Sequence, residues 1–108
     1  MKEKTFYKIL MEFTFSIEKT KRRISDLRLT TTEKLIIEGH LNIRKNLNVE
    51  VVKTFSETSP SELPFVESQR QLILGSALNN LSRFIEAEKH IQTSLEILQK
   101  FDAPFFVF

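Results

Sequence analysis

The chain has 108 residues, 41% hydrophobic and 28% charged, with sixteen basic against fourteen acidic side chains. That is the composition of one globular domain able to bury a core, not of a disordered or fibrous chain. It has no cysteine, two glycines and three prolines. A disulfide framework, a thiol nucleophile and a cysteine metal site are thereby excluded, and turn residues are too few for a many-stranded β sandwich or barrel. No apolar run approaches the ~20 residues that span a bilayer, so no membrane association is expected. No apolar h-region follows Met1-Lys2-Glu3-Lys4, which predicts a cytoplasmic protein.

The first element is open between two periods. Phe13, Phe15 and Ile17 alternate as in a strand, whereas Phe6, Ile9, Leu10, Phe13, Ile17, Ile24 and Leu27 hold helical spacing over a longer stretch. Length favours a long helix from about Lys2 to Arg28, the first 29 residues forming one N-terminal segment. Residues 1–50 carry eleven basic and seven acidic groups, and residues 51–108 carry five and seven. Lys19, Lys21, Arg22, Arg23 and Arg28 centre the basic excess. They are candidate contacts for phosphates or an acidic partner, although a solvated helix face accounts for the same cluster.

Residues 30–63 read as a short helical pair and a loop. Three threonines, Thr30 to Thr32, interrupt the first helix, and Thr30 with Glu33 has the spacing of a capping box. A second helix is predicted over Thr31 to Arg44, with Leu35, Ile36, Gly39 and Ile43 inward. Asn46 and Asn48 mark a turn, and Val49, Val52 and Phe55 give a short third helix ending near Glu57. The stretch from Leu29 to Asn48 has helix-turn-helix spacing, but Val49 to Phe55 is too apolar for an exposed recognition helix. Pro60 and Pro64 bracket the one clear loop, each placed where a helix starts rather than continues.

Residues 64–101 are the most regular. Val66, Gln69, Leu72, Ile73, Gly75, Ala77, Leu78 and Leu81 suit a helix over Phe65 to Leu81. Phe84, Ala87, Glu88, Ile91, Leu95 and Leu98 suit another over Phe84 to Lys100. The Ser82-Arg83 link forces the pair antiparallel. Gly75 and Ala87 are small where the helices cross, with Leu74, Leu78, Phe84 and Ile91 around the crossing.

This pattern from Gln71 to Gln99 resembles the tetratricopeptide repeat: Leu74-Gly75, Leu78, Phe84, then Ala87 and Ile91 four residues on. It departs where Gln71 replaces an aromatic, Leu78 a tyrosine, Ser94 a second alanine and Gln99 the closing proline. A ~34-residue step forward takes Gln71 to Phe105 and Leu74 to Phe108, so residues 102–108 read as the start of a further helix. A step back, lengthened by two residues for the Pro60–Pro64 loop, takes Gly75 to Gly39, Ala87 to Val51 and Ile91 to Phe55. The resemblance implies an all-α fold of antiparallel hairpins stacked as a short α-solenoid over residues 1–108. It also implies a protein–protein interaction module whose concave face carries Gln69, Leu72, Ser76, Asn79 and Arg83. Leu72 and Ser76 stand where the family's carboxylate clamp needs Lys and Asn, so no clamp is expected.

Catalysis, a cofactor and a metal site are not expected. Glu86 and His90 are four apart, but two ligands are too few and a solvated pair accounts for them. His40 beside Gly39 reads as a packed or solvated side chain. No serine occupies a nucleophile elbow, and two isolated glycines make no phosphate loop. The alternative function is a regulator associated with nucleic acid through its basic half, or one responsive to a ligand. Phe105, Phe106 and Phe108 leave an apolar end that self-association into a homodimer would cover.

Overall fold

A computed structural model of the chain describes residues 30–100. Four helices make up the described chain: α1 (Thr31–Arg44), α2 (Asn48–Glu57), α3 (Pro64–Asn80) and α4 (Phe84–Lys100). Among the described residues there is no strand, and no helix is long and apolar enough to cross a membrane. The expected helix over residues 2–28, its basic cluster from Lys19 to Arg28, and the further helix start with Phe105, Phe106 and Phe108 lie outside the described residues.

Each boundary has a local cause. At the start of α1 the capping box forms in full. The Glu33 N–H donates to Thr30 Oγ1 (3.1 Å) and the Thr30 N–H donates to Glu33 Oε1 (2.8 Å), satisfying two backbone donors that have no helical partner. The α2–α3 loop ends on Pro64 at the first position of α3, where a missing N–H costs nothing.

The turns closing the two hairpins are the same structure 36 residues apart. Among the described residues, Asn46 and Ser82 are the two non-glycine residues with positive φ, at 62° and 63°. The Asn46 N–H donates to Ile43 O (3.0 Å) and the Leu47 N–H to Asn42 O (2.9 Å). Ser82 and Arg83 repeat both bonds onto Asn79 and Leu78, at 3.0 and 2.9 Å. This double bond pattern with a left-handed residue is the Schellman stop. Asparagine accepts the left-handed region readily; serine does so at about 1 kcal/mol. The helix ends flanking these turns, Arg44 and Asn80, then Asn48 and Phe84, are also 36 apart.

The crossings repeat with the turns. A Cβ on Gly75 would lie 2.6 Å from Ile91 Cγ1 and 3.2 Å from the Ala87 carbonyl oxygen, so α3 and α4 meet at Gly75 and Ala87. A Cβ on Gly39 would lie 2.7 Å from the Phe55 ring and 3.0 Å from Ile73 Cγ2. Gly39 and Phe55 thus make a close approach like that of Gly75 and Ile91. The core joins both hairpins: Ile36, Ile37, Val51 and Phe55 from the first, and Phe65, Val66, Ile73, Leu74, Ala77, Leu78 and Ala87 from the second. The central helix is α3, in contact with all three others, and its closest association is with α4. Deeper along that contact, Ser94 is buried and its hydroxyl donates to Ser68 O (2.8 Å). A small residue is needed there for the same reason as at Ala87.

One expected core residue is not in the core. Phe84 was placed among the side chains around the crossing, yet it is 60% exposed. The face of α4 turned to α3 runs through Ala87 and Ser94, and Phe84 points about 60° away from it at 100° per residue.

Candidate partner-binding face

Four of the five residues expected on a concave face lie along one line of α3. Gln69, Leu72, Ser76 and Asn79 follow each other at intervals of three and four, which keeps them on one side of a helix. The remainder of α3 is largely occupied: Phe65, Val66, Ser68, Arg70, Ile73, Leu74, Gly75, Ala77 and Leu78 are buried. Gln69, Leu72 and Ser76 are half-buried and Asn79 and Asn80 are exposed. Arg83 lies beyond α3 in the turn, where its guanidinium holds Glu86 through two bonds of 3.0 and 2.7 Å.

Two side-chain bonds fix this open line against the first hairpin. Near its start Gln69 Oε1 meets His40 Nε2 of α1 at 3.1 Å. At its end Asn80 Nδ2 donates to Asn48 Oδ1 (3.1 Å), and Asn48 Nδ2 donates in turn to Asn46 Oδ1 (2.8 Å). Asn48 is buried, so this amide chain satisfies a polar group inside the α2–α3 contact. Burial pushes the His40 imidazole below its ordinary range. The bond to Gln69 opposes that shift and the Arg44 charge adds to it. By the 36-residue relation His40 and Ile43 are the α1 counterparts of Ser76 and Asn79, and both are half-buried.

A partly buried ion pair underlies the loop between α2 and α3. Arg70 Nε and Nη2 donate to the two oxygens of Glu67, each at 2.7 Å. Arg70 Nη1 reaches the carbonyls of Phe55 and Thr58, both at 3.4 Å. Glu67 Oε1 also accepts the Ser61 N–H (2.9 Å), and Gln71 Nε2 donates to Glu67 Oε2 (3.0 Å). Burial acts to raise the Glu67 carboxyl. The bonds from Arg70, Gln71 and Ser61 and the Arg70 charge outweigh it and hold the group below its usual range. This clamp ties the end of α2, the loop and the start of α3 together. The sequence offered only a Glu-x-x-Arg spacing for it, which is ordinary on any helix surface.

Glu86 and His90 do not form the pair expected of them. Glu86 turns to Arg83, and His90 Nδ1 lies 2.7 Å from Gln71 Oε1 across the hairpin. The His90 imidazole is lowered by burial and then by the Arg70 charge, with Glu86 opposing. Both histidines thus make helix-to-helix contacts through a glutamine of α3.

The outer side of α4 is a second open surface. Phe84, Ile85 and Leu95 are exposed at 60%, 77% and 49%, and Ile91 and Leu98 are only partly covered by the core. Ile91 lies at the edge of this surface, since it also meets Gly75 of α3. No family model matches the chain, and no curated protein or solved structure matches it significantly.

Proposed function

We propose that the chain is a protein–protein interaction module, a short α-solenoid of two tetratricopeptide-like hairpins. In this reading the open line of α3, together with His40 and Ile43 of α1, receives an extended segment of a partner protein. The observation that carries it is the recurrence, 36 residues apart, of the capped turn at Asn46 and Ser82 together with the glycine crossings at Gly39 and Gly75. Hairpins repeated in this way stack with equivalent helices side by side, and the first helices of successive pairs line one surface. That surface offers an amide at Asn79, a hydroxyl at Ser76, an apolar contact at Leu72, and His40 and Ile43 from α1. Such a mixture suits a peptide whose backbone bonds to amides and whose side chains alternate between apolar and polar. Its Arg83 is neutralised by Glu86, so the face is not an anion clamp.

The test is selection of peptides from a random library on the immobilised full chain, followed by affinity measurement with Leu72→Glu and Asn79→Ala variants. The expected result is at least a tenfold loss for Leu72→Glu, equal to about 1.4 kcal/mol, with an unchanged melting curve. Binding that ignores both substitutions would remove the function from this face. Binding of an oligonucleotide that weakens steeply with salt would move it to the basic N-terminal half, since phosphate contacts release counterions.

A further inference from the structure

A chain of polar side chains joins α4 to the α2–α3 loop. His90 Nδ1 lies 2.7 Å from Gln71 Oε1, and Gln71 Nε2 donates to Glu67 Oε2 (3.0 Å). Glu67 Oε1 accepts the Ser61 N–H of the loop (2.9 Å), and both Glu67 oxygens are held by Arg70. The carboxylate thus receives four hydrogen bonds, which fills its acceptor sites. Its position is set jointly from α3, from the loop and, through Gln71, from α4. The His40–Gln69 bond (3.1 Å) belongs to no such chain, since among the described residues no hydrogen bond leads on from Gln69.

The direction of these bonds fixes the state of His90. A glutamine oxygen only accepts, so Nδ1 carries a hydrogen and an added proton goes to Nε2. The charges that act on the ring pull it one way. From α3, Arg70 opposes a positive ring, and Glu67, reached only through Gln71, is already fully engaged. From α4 itself, Glu86 favours it. Glu86 stands one turn back, at the spacing that suits a carboxylate–cation pair on a helix. It is exposed and held by Arg83, and a surface pair of that kind contributes little. His90 is half-buried, so its ring has room to turn outward.

We propose that His90 is a pH-operated pin on the α2–α3 loop: the neutral ring holds Gln71, and through it Glu67 and the Ser61 N–H, whereas the protonated ring turns to Glu86 and slackens the loop. Burial and then the Arg70 charge hold this imidazole below its ordinary range, with Glu86 opposing. Release therefore belongs to the acid side of about pH 6.5. The pin acts whether or not the α3 face binds a peptide.

Hydrogen exchange at the Ser61 amide of the full chain reads the loop bond. The ring C–H signal of His90 reads its protonation in the same NMR samples. As the ring titrates, Ser61 protection, corrected for the intrinsic pH dependence of exchange, should fall several-fold. The core amides of Ile73 and Leu78 should keep theirs. His90→Gln retains a donor for Gln71 and cannot titrate, so its Ser61 protection should stay at the neutral level over the same range. Glu86→Gln removes the outward pull and should shrink the step, while His40→Gln should leave it as in the parent. Ser61 protection that stays level while His90 titrates would overturn the pin. So would a fall confined to the carboxyl range below about pH 4.3, a step that survives His90→Gln, or an equal loss at the core amides. Should His90→Gln fail to fold, the parent titration alone decides. Peptide binding at the α3 face is read separately by Leu72→Glu, so either inference can fail alone.

Discussion

Replacing Gly75 with alanine tests the crossing of α3 and α4 by the sign of its effect. In an ordinary helix interior the change from glycine to alanine stabilises by ~0.5–1 kcal/mol, because the unfolded chain loses freedom. Here the added methyl would lie 2.6 Å from Ile91 Cγ1 and 3.2 Å from both Ala87 O and Ile91 N. Carbon contacts are comfortable near 3.5–4.0 Å. The half-buried Ile91 side chain can turn aside, but the two backbone contacts are relieved only if α4 moves off α3. Overpacking of this kind costs ~1–3 kcal/mol. The expected balance is a net loss of ~0.5–2 kcal/mol, and each kilocalorie lowers Tm by ~4–8 °C in a domain of this size. Urea and thermal unfolding measure it, and Ile91→Val in the same background should recover only the side-chain part. At Gly39 the clashing atoms belong to Phe55 and Ile73. Both are buried at 2% exposure or less, so Gly39→Ala should share the sign. An alanine variant more stable than the parent at Gly75 would mean that the helices do not meet there.

Ala87→Leu should destabilise by ~1–3 kcal/mol in the same melts, since Ala87 is the buried side of that crossing. Glu67→Gln should flatten the acid limb of a Tm-against-pH curve. The folded carboxyl is held below its usual range, so its stabilisation is complete above about pH 4.3 and is lost as pH falls through the lower folded value. His40→Gln should flatten the curve at higher pH. The imidazole is lowered in the fold, so the parent is at full stability above about pH 6.5 and weakens as pH falls from there toward the folded value. A parent Tm that stays level from pH 7 to pH 5 would contradict this cause.

The helices of the described chain were legible because local signals agreed with the apolar period. Thr30 with Glu33 marked the start of α1, Pro64 the start of α3, and Asn46 and Ser82 fell at the two stops. The crossing was legible because glycine and alanine are too small to face each other by accident of composition. Phe84 was misplaced for a reason that periodicity cannot overcome. On α4, Ala87 and Ser94 define the buried face, Ile91 and Leu98 flank it within about 40°, and Phe84, in the same heptad register, stands about 60° round from Ala87. Both registers are regular. Only the position of α3 decides which is buried, and close approach selects the face with the small residues.

The same logic explains what was legible of the candidate face. Gln69, Leu72, Ser76 and Asn79 are the polar or lightly apolar line left once the core positions of α3 are removed, so their common exposure follows from α3 alone. Their attachment to α1 and α2 does not. His40 and Gln69 are 29 positions apart in sequence, and Asn48 and Asn80 are 32 apart. Each of these side chains, taken singly, reads as a surface group. The burial of Asn48 is informative because its counterpart in the second hairpin is Phe84. The equivalent position is an amide where a helix end must be bonded across the contact, and an exposed aromatic where α4 still presents a surface. A polar group there ties α3 to α2 through a directed bond to Asn80, fixing register as well as proximity. An aromatic there offers area without direction. The two hairpins thus share a backbone plan but differ at this one repeated position, where the first carries a buried amide and the second an exposed aromatic.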